Sequence, residues 1–513
     1  MERFIERYND RIIGSIAGFD RILFRGQMFS LCHVEAMDRF LSSQHVLYRD
    51  FSPFAQMFSD EIKAHAERIA RQKNRPLIYL SSSSVSKEEV ARSLMIQDKV
   101  TEGLVCILSC VEPCHSFSLR RDAATQRLHL VWEERKCLHL YFYSVDRDFG
   151  LMHLRLQTWF PFTIQVCLNG REWLARQLDR AGIAYTQVDN CFTHLADLEK
   201  AQQIFDSFHH LKFERILSAL ARRVNPWLGK TAKIVLRPYY WTIRQAEYAT
   251  DLLFRDQAAL KEIYPALVKH AIEQFGCQDV MRFLGRRTNR RFSGECKSSL
   301  QSRVEGLRVK HWVEENSIKM YDKAGSVLRV ETTINNPKRF RSRRRISHRG
   351  RGVIKYLPMR KGIVDIGRRV ELSRAANGRY LEALAVVGDP TPSHTLFDQV
   401  SQRIEVNGRP YRALRPITEQ ESELFQAVLR GENQIQGVRN EDVRKSLDAS
   451  QETDDDARKK ASARTSRQLR LLRAHGLIYK VPRTNYYRVT KKGHQVMSTA
   501  IKFRTSDIAL LAA

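Results

Sequence analysis

Apolar and polar positions change period several times along this chain, and each change predicts an element. Between Gly103 and Leu168 short apolar runs recur at Gly103–Cys110, Leu128–Glu133, Cys137–Val145, Leu151–Phe160 and Thr163–Leu168, with turn-like residues between them. Runs of that length and spacing predict an antiparallel meander. Upstream, Arg11–Phe24 reads as strand-turn-strand with Gly14 and Gly18 as punctuation, and Pro76–Leu80 as a short buried strand. Helical periodicity covers His33–Leu41 and Met57–Gln72. Ser86 with Glu89 three residues on predicts a helix start, and so does Asn169-Gly170 before the shared face of Trp173, Leu174, Gln177 and Leu178.

Further on, Ala246–Phe254, Leu260–Phe275 and Asp279–Leu284 carry three-four apolar spacing and predict helices, the first N-capped by Thr242. Asn316–Asn335 alternates like a hairpin, with Ile318, Met320, Val327, Leu328, Val330 and Ile334 as apolar positions and Ala324-Gly325-Ser326 as the turn. Asp389–Ser393 reads as a linker. The last hundred residues run helix (Glu419–Leu429), helix (Glu441–Leu447), acidic stretch (Gln451–Asp456), basic helix (Ala457–His475), Gly476, strand, turn, strand and final helix (Lys492–Phe503). That order predicts a winged helix. The expected fold class is multidomain α+β: an N-terminal α/β domain with antiparallel strands (1–205), a helical domain (206–300), a β-rich basic domain (301–410) and a winged-helix DNA-binding domain (411–513).

Charge changes the picture. The 513 residues hold 86 Lys and Arg against 57 Asp and Glu, a net charge of +29, and the excess is gathered in runs. Lys338, Arg339, Arg341, Arg343, Arg344, Arg345, Arg349 and Arg351 follow one another with no acid between. A packed core cannot absorb such density, because an unpaired buried guanidinium costs several kcal/mol. From Arg458 to Arg483 nine basic residues occur without an acid. Leu469, Leu472 and Leu477 would face a core there, leaving Arg464, Arg467, Arg470 and Arg473 outward, with Lys480 and Arg483 on the wing. The expected partner is DNA, with structured RNA as the alternative. No membrane partner is expected, since neither an 18-residue apolar stretch nor a signal-peptide pattern is present. Nine irregularly spaced Cys predict reduced thiols and a cytoplasmic protein; a homo-oligomer is compatible with all of this.

The whole chain resembles a family of uncharacterised bacterial proteins, through Gly18–Gly26 (GFDRILFRG), Met152–Phe162, Asn169–Gly182, Tyr239–Asp251 and Lys319–Asn335. The resemblance carries over no activity. A shorter one covers Tyr321–Glu331: Tyr321-Asp322-Lys323 and Leu328-Arg329-Val330-Glu331 are similar to the Tyr-x-Lys and Leu-Arg-x-Glu segment of some phage and plasmid replication initiators. It would make Tyr321, Lys323, Arg329 and Glu331 the matching site positions. The His-hydrophobe-His metal motif of rolling-circle initiators is absent from this sequence.

Candidate chemistry follows. Tyr321 could attack a phosphodiester, with Lys323 or Arg329 neutralising charge; the plainer reading is a packed strand tyrosine beside an Arg329–Glu331 interaction. Asp20, Glu112, Asp146 and Asp148 lie at or near predicted strand ends, where two or three could gather around Mg²⁺ for phosphoryl transfer. Cys106, Cys110, Cys114 and His115 lack tight zinc spacing and read as structural. Trp159, Phe160 and Phe162 near Arg155, and Tyr239, Tyr240 and Trp241 near Arg237 and Arg244, are candidates for stacking single-stranded bases, though strand aromatics are more often core. P-loop, dinucleotide, zinc-protease and serine-hydrolase motifs are absent. The function expected is nucleic-acid binding of mobile-element or replication type, with strand cleavage or transfer as its enzymatic form. A non-catalytic transcriptional regulator and an RNA-binding partner protein are the alternatives.

Overall fold

The computed structural model describes residues 1–229, 234, 236–285, 295–303, 306–348, 351–387, 392–430, 433, 437–447, 455–482 and 484–506. Arg349, Arg483, most of the Asp389–Ser393 linker and residues 451–454 of the acidic stretch lie outside the described residues. The protein is mixed α+β and built around a large mixed sheet. In chain order the first strands are β1 (Ile12–Gln27), β2 (Leu77–Leu80), β3 (Gly103–Arg121), β4 (Leu128–Asp146), β5 (Gly150–Gln157) and β6 (Ile164–Asn169). Then come β7 (Tyr185–Val188), β8 (Cys191–Leu195), β9 (Tyr240–Phe254), β10 (Cys296–Arg303), β11 (Gly306–Val313), β12 (Asn316–Lys323) and β13 (Val327–Ile334). Three two-stranded pairs complete the set: β14 (Arg341–His348) with β15 (Arg351–Pro358), β16 (Ile404–Val406) with β17 (Arg409–Tyr411), and β18 (Ile478–Lys480) with β19 (Tyr487–Val489).

Two compact units share the chain, and both are discontinuous in sequence. The large unit comprises Ile13–Asp256 and Lys323–Arg374; the small unit comprises Met1–Ile12, Gln257–Asp322 and Ala375–Ala513.

In the large unit the strand order is β13-β9-β1-β6-β5-β4-β3-β2. The meander from β3 to β6 is antiparallel as its alternation predicts, and β2 alone runs parallel to its neighbour. Helices Phe51–Gln72, Gly170–Ala181, Leu198–Ser207 and Phe213–Val224 bury Phe58, Ile62, Leu174, Leu178, Phe205 and Leu217 in one core with Phe24, Phe160, Val166 and Ile243. Helices begin at both Ser86 and Asn169 as expected: the Ser86 hydroxyl accepts from the Glu89 N–H, and the Asn169 side chain accepts from the Arg171 and Glu172 N–H groups.

Four expectations are corrected in this unit. Arg11–Phe24 is no strand-turn-strand: Ile12–Phe24 belongs to the single long strand β1. A Cβ at Gly14 would lie 2.4 Å from Leu198, and one at Gly18 would lie 2.2 Å from Phe205. These glycines therefore admit a packed helix instead of breaking the strand. Pro76–Leu80 is not buried; β2 is the sheet's outer strand, with Leu77 and Tyr79 exposed. Ala246–Phe254 is not a helix but the inner half of β9, buried from Ala246 to Phe254. A strand covered on both faces shows no alternation, so its apolar run mimics helical spacing. Thr242 accordingly caps nothing, and its hydroxyl donates to the Arg25 carbonyl.

In the small unit β10-β11-β12 is an antiparallel set under helices Gln257–Gln274 and Cys277–Phe283. The expected turn lies between β12 and β13, and Ala324 and Gly325 both adopt positive φ there. Helices Glu419–Val428, Asn440–Leu447, Asp455–Ala474 and Lys491–Thr505 and the β18–β19 pair close over Leu424, Phe425, Leu469, Leu472, Leu477, Val496 and Met497. Cys277 and Cys296 form a disulfide, which corrects the expectation of reduced thiols at those two positions; the other seven cysteines are free. No helix among the described residues is long and apolar enough to cross a membrane.

Candidate active site: a carboxylate cluster on three adjacent strands

Three neighbouring strands of the large unit, β13, β9 and β1, each deliver one acid. Asp20 lies on β1, Glu247 on β9 and Glu331 on β13, all buried, each with a carboxylate oxygen within 4.8 Å of the others. Among the described residues this is the one group of three or more His, Cys, Asp or Glu placed to hold an ion.

Strand register explains the convergence. Glu331 pairs with Ala249, Arg329 with Asp251 and Thr333 with Glu247. Directly opposed residues share a face and successive ones alternate, so Arg329, Glu331, Glu247 and Asp251 project from one side. Asp20 joins them at the point where β1 leaves its pairing with β6, at Arg21–Asn169. There Gly170 opens a helix so close to β1 that a Cβ would stand 2.1 Å from the Phe19 carbonyl oxygen.

A buried ionic frame holds the acids. Arg329 Nε and Nη2 donate to the two Asp251 oxygens at 2.7 and 2.9 Å, and Nη2 also donates to the Asn190 carbonyl at 2.7 Å. Arg329 Nη1 stands 3.6 Å from Asp20, and Arg171 Nη2 lies 3.2 Å from Asp251. Burial pushes the Asp251 carboxyl up, but the Arg171 and Arg329 guanidiniums outweigh it and hold the group below the ordinary carboxylate range. The Asp189-Asn190 turn between β7 and β8 leans on this frame. Lys323 donates to Asp189 at 2.7 Å, and the Asn190 amide donates to both Asp20 oxygens at 2.9 and 3.0 Å.

Beside the acids is a cavity of about 200 Å³, lined by Asp20, Glu247, Asn190, Arg21, His153 and Cys167 among others. Burial lowers His153 to about 4 and raises the Cys167 thiol to about 12, so both are neutral near pH 7. Arg21 Nε stands 3.6 Å from Glu247.

Three clustered carboxylates suit a hard divalent cation. Oxygens around one Mg²⁺ at about 2.1 Å stand about 3 to 4.2 Å apart; the three carboxylate oxygens here lie within 4.8 Å of one another. An all-oxygen donor set excludes the soft-metal chemistry of thiolate sites.

The other candidates lie elsewhere. Glu112 does not join Asp20: it accepts from Tyr141 at 2.6 Å, from Arg155 at 3.0 and 2.8 Å, and pairs with Lys87 at 2.9 Å. Burial raises its carboxyl, but these hydrogen bonds and charges prevail and hold it at about 2. Asp146 caps the Asp148 and Phe149 amides, and Asp148 pairs with Arg180. Tyr321 belongs to the small unit, on β12 opposite Arg308, with the Lys319 ammonium 5.2 Å from its ring centre. Cys106 and Cys110 are buried in β3, Cys114 is half-buried and free, and His115 stacks on Trp132.

Most aromatic candidates are core. Phe160, Phe162, Tyr239 and Trp241 are buried, and Phe160 packs among Phe51, Phe54 and Phe58. This corrects the stacking expectation there; of the second trio Tyr240 alone is exposed, against Phe29.

In the basic run, Lys338, Arg339 and Arg341 are exposed. Arg344 is tied to Asp365 at 2.6 Å, so it is not wholly solvated. Arg343 and Arg345 lie on β14, and Arg351 opens β15. Arg464, Arg467, Arg470, Arg473 and Lys480 are all exposed, while Leu469, Leu472 and Leu477 are buried.

Glu247, Asp251 and Asn190 escape sequence reasoning. The first two are concealed by the helical misreading of β9. A usable signal was the spacing Glu247-Ala249-Asp251, which puts two acids on one face of a strand. No protein-family model, no curated protein and no solved structure matches the chain.

Proposed function

We propose that the protein is a nucleic-acid-binding enzyme that cuts or transfers a phosphodiester strand with the help of a divalent cation. The observation that carries this reading is the convergence of Asp20, Glu247 and Glu331. Each offers one carboxylate oxygen to the cation. When bound, such an ion neutralises the reacting phosphoryl oxygens and lowers the pKa of a water. Asn190 fixes the rotation of Asp20 by donating to both its oxygens, and Lys323 anchors the turn that carries Asn190. Arg329 keeps a positive charge 3.6 Å from Asp20. In the hydrolytic reaction the water oxygen forms the new bond to phosphorus, the bond from phosphorus to the leaving ribose oxygen breaks, and that oxygen takes up a proton.

Binding rests on two basic elements. The order of elements from Glu419 to Thr505 supports a winged helix, and the exposed Arg464, Arg467, Arg470 and Arg473 supply a surface for DNA. The β14–β15 pair supplies a second basic surface. DNA is the leading substrate, with structured RNA as the alternative.

The test is a 5′-labelled DNA strand, single and duplex, incubated with the protein in Mg²⁺, in Mn²⁺ and in EDTA. Metal-dependent cuts that vanish in Asp20→Asn and Glu247→Gln are expected. An uncut strand in both metals, or equal cutting by the variants, contradicts the reading.

A further inference from the structure

Helix Phe213–Val224 has two faces of opposite character. Phe213, Leu217, Leu220 and Val224 are buried in the core. Lys212, Arg215 and Arg222 recur at three- and seven-residue steps, which places them together on the outer face. All three are exposed, and among the described residues none is held by an acid. They line one side of a groove of about 710 Å³. A second segment, Ile363, Val364 and Ile366, also lines the groove, and Val364 is 83% exposed. Ile363 and Ile366 extend this apolar segment, Leu211 adds an apolar side chain just before the helix, and Glu214 is the one acid among the lining residues. The neighbouring Asp365 is already bonded to Arg344 and to the Arg360 amide.

Cations on the helix and an exposed aliphatic segment in the same groove define a specific ligand chemistry: regularly spaced anions with flat apolar faces beside them. We propose that this groove binds a single strand of nucleic acid, with phosphates along Lys212, Arg215 and Arg222 and bases against Ile363 and Val364. A duplex hides its base faces, whereas a single strand offers them. From Lys212 to Arg222 the helix rises about 15 Å, the length of roughly four stacked nucleotides at 3.4 Å each. The inference rests on the nucleic-acid reading above but assigns residues outside the carboxylate cluster, the β14–β15 pair and the winged helix.

The experiment is fluorescence anisotropy of labelled dT15, with the full chain, in EDTA and across a salt series. EDTA stops metal-dependent cutting, so binding is read apart from chemistry. The triple variant Lys212→Ala/Arg215→Ala/Arg222→Ala is expected to bind about ten- to a hundredfold more weakly. Its slope of log affinity on log salt should be shallower by about 2, since each single-strand phosphate contact contributes about 0.7. Val364→Ser should weaken dT15 and leave duplex binding unchanged. Far-ultraviolet circular dichroism and thermal midpoint should match wild type, because all four sites are exposed. Wild-type affinity and slope in the triple variant overturn the inference. So does equal wild-type affinity for polyglutamate of matching charge, which would mark an acidic-protein site. Loss of binding in the triple variant alongside an uncut strand in Mg²⁺ would uphold the groove and reject the enzymatic reading.

Discussion

Two charged centres of the large unit, a half-buried one around Glu112 and a buried one around Asp20, differ in an instructive way. Around Glu112 one carboxylate meets Lys87, Arg155 and the Tyr141 hydroxyl. Every charge there has a protein partner, and the centre ties β3, β4, β5 and the helix Lys87–Gln97 together. Around Asp20 the composition reverses: three carboxylates converge, with Arg329 3.6 Å from Asp20 and Arg21 3.6 Å from Glu247, while Asp251 takes the closest bonds of Arg171 and Arg329. Gathering like charges out of water is unfavourable unless a cation joins them. One arrangement sets a single carboxylate against two cations; the other gathers three carboxylates, which suits an external cation.

Substitutions should sharpen that contrast, beginning with the largest effect. Asp251→Ala removes the acid that Arg171 and Arg329 share in the core and should destabilise the protein by about 3–5 kcal/mol, read from urea unfolding. Little or no loss would mean the ionic frame does not support the cluster. Next, Mn²⁺ or Mg²⁺ at a hundred times its Kd should stabilise wild type by about 2.7 kcal/mol. Asp20→Asn and Glu331→Gln should lose that increment while folding normally without metal.

Glu112→Gln should cost stability in a pH-dependent way. A carboxyl held at about 2 in the fold, against 4.5 ordinarily, stabilises the native state above pH 4.5 and loses that contribution as pH falls toward 2. The gap in unfolding free energy between wild type and Glu112→Gln should therefore close over that interval; a constant gap would reject the pairing. The smallest effect concerns β14. Arg341→Ala should flatten the salt dependence of DNA binding by about 0.9, and Arg344→Ala by less, because Asp365 already holds Arg344. Equal slopes for the two variants would show that this ion pair does not matter to binding.

These outcomes bear on how far the sequence could be read. The meander, the helix starts at Ser86 and Asn169 and the Ala324–Gly325 turn were legible because alternation, capping and turn chemistry are local. Asp20 was legible as an acid at a predicted strand end, and Glu331 through the short resemblance to replication initiators. Glu247 and Asp251 were hidden, since a strand buried on both faces carries no alternation to distinguish it from a helix. The register that sets Arg329 against Asp251 joins residues 78 apart, and no local pattern encodes it. Asn190 was hidden likewise, because its hydrogen bonds to Asp20 span 170 residues. Gly14 and Gly18 misled because a glycine that admits a neighbour and one that makes a turn look alike in sequence.

The central claim is that Asp20, Glu247 and Glu331 together bind one divalent cation. Isothermal titration of Mn²⁺ into the metal-free protein, with Asp20→Asn and Glu331→Gln alongside, tests it most directly. One ion per chain in wild type, lost in both variants while their circular dichroism is unchanged, is the expected result. No binding at millimolar Mn²⁺, or undiminished binding in the variants, would contradict it.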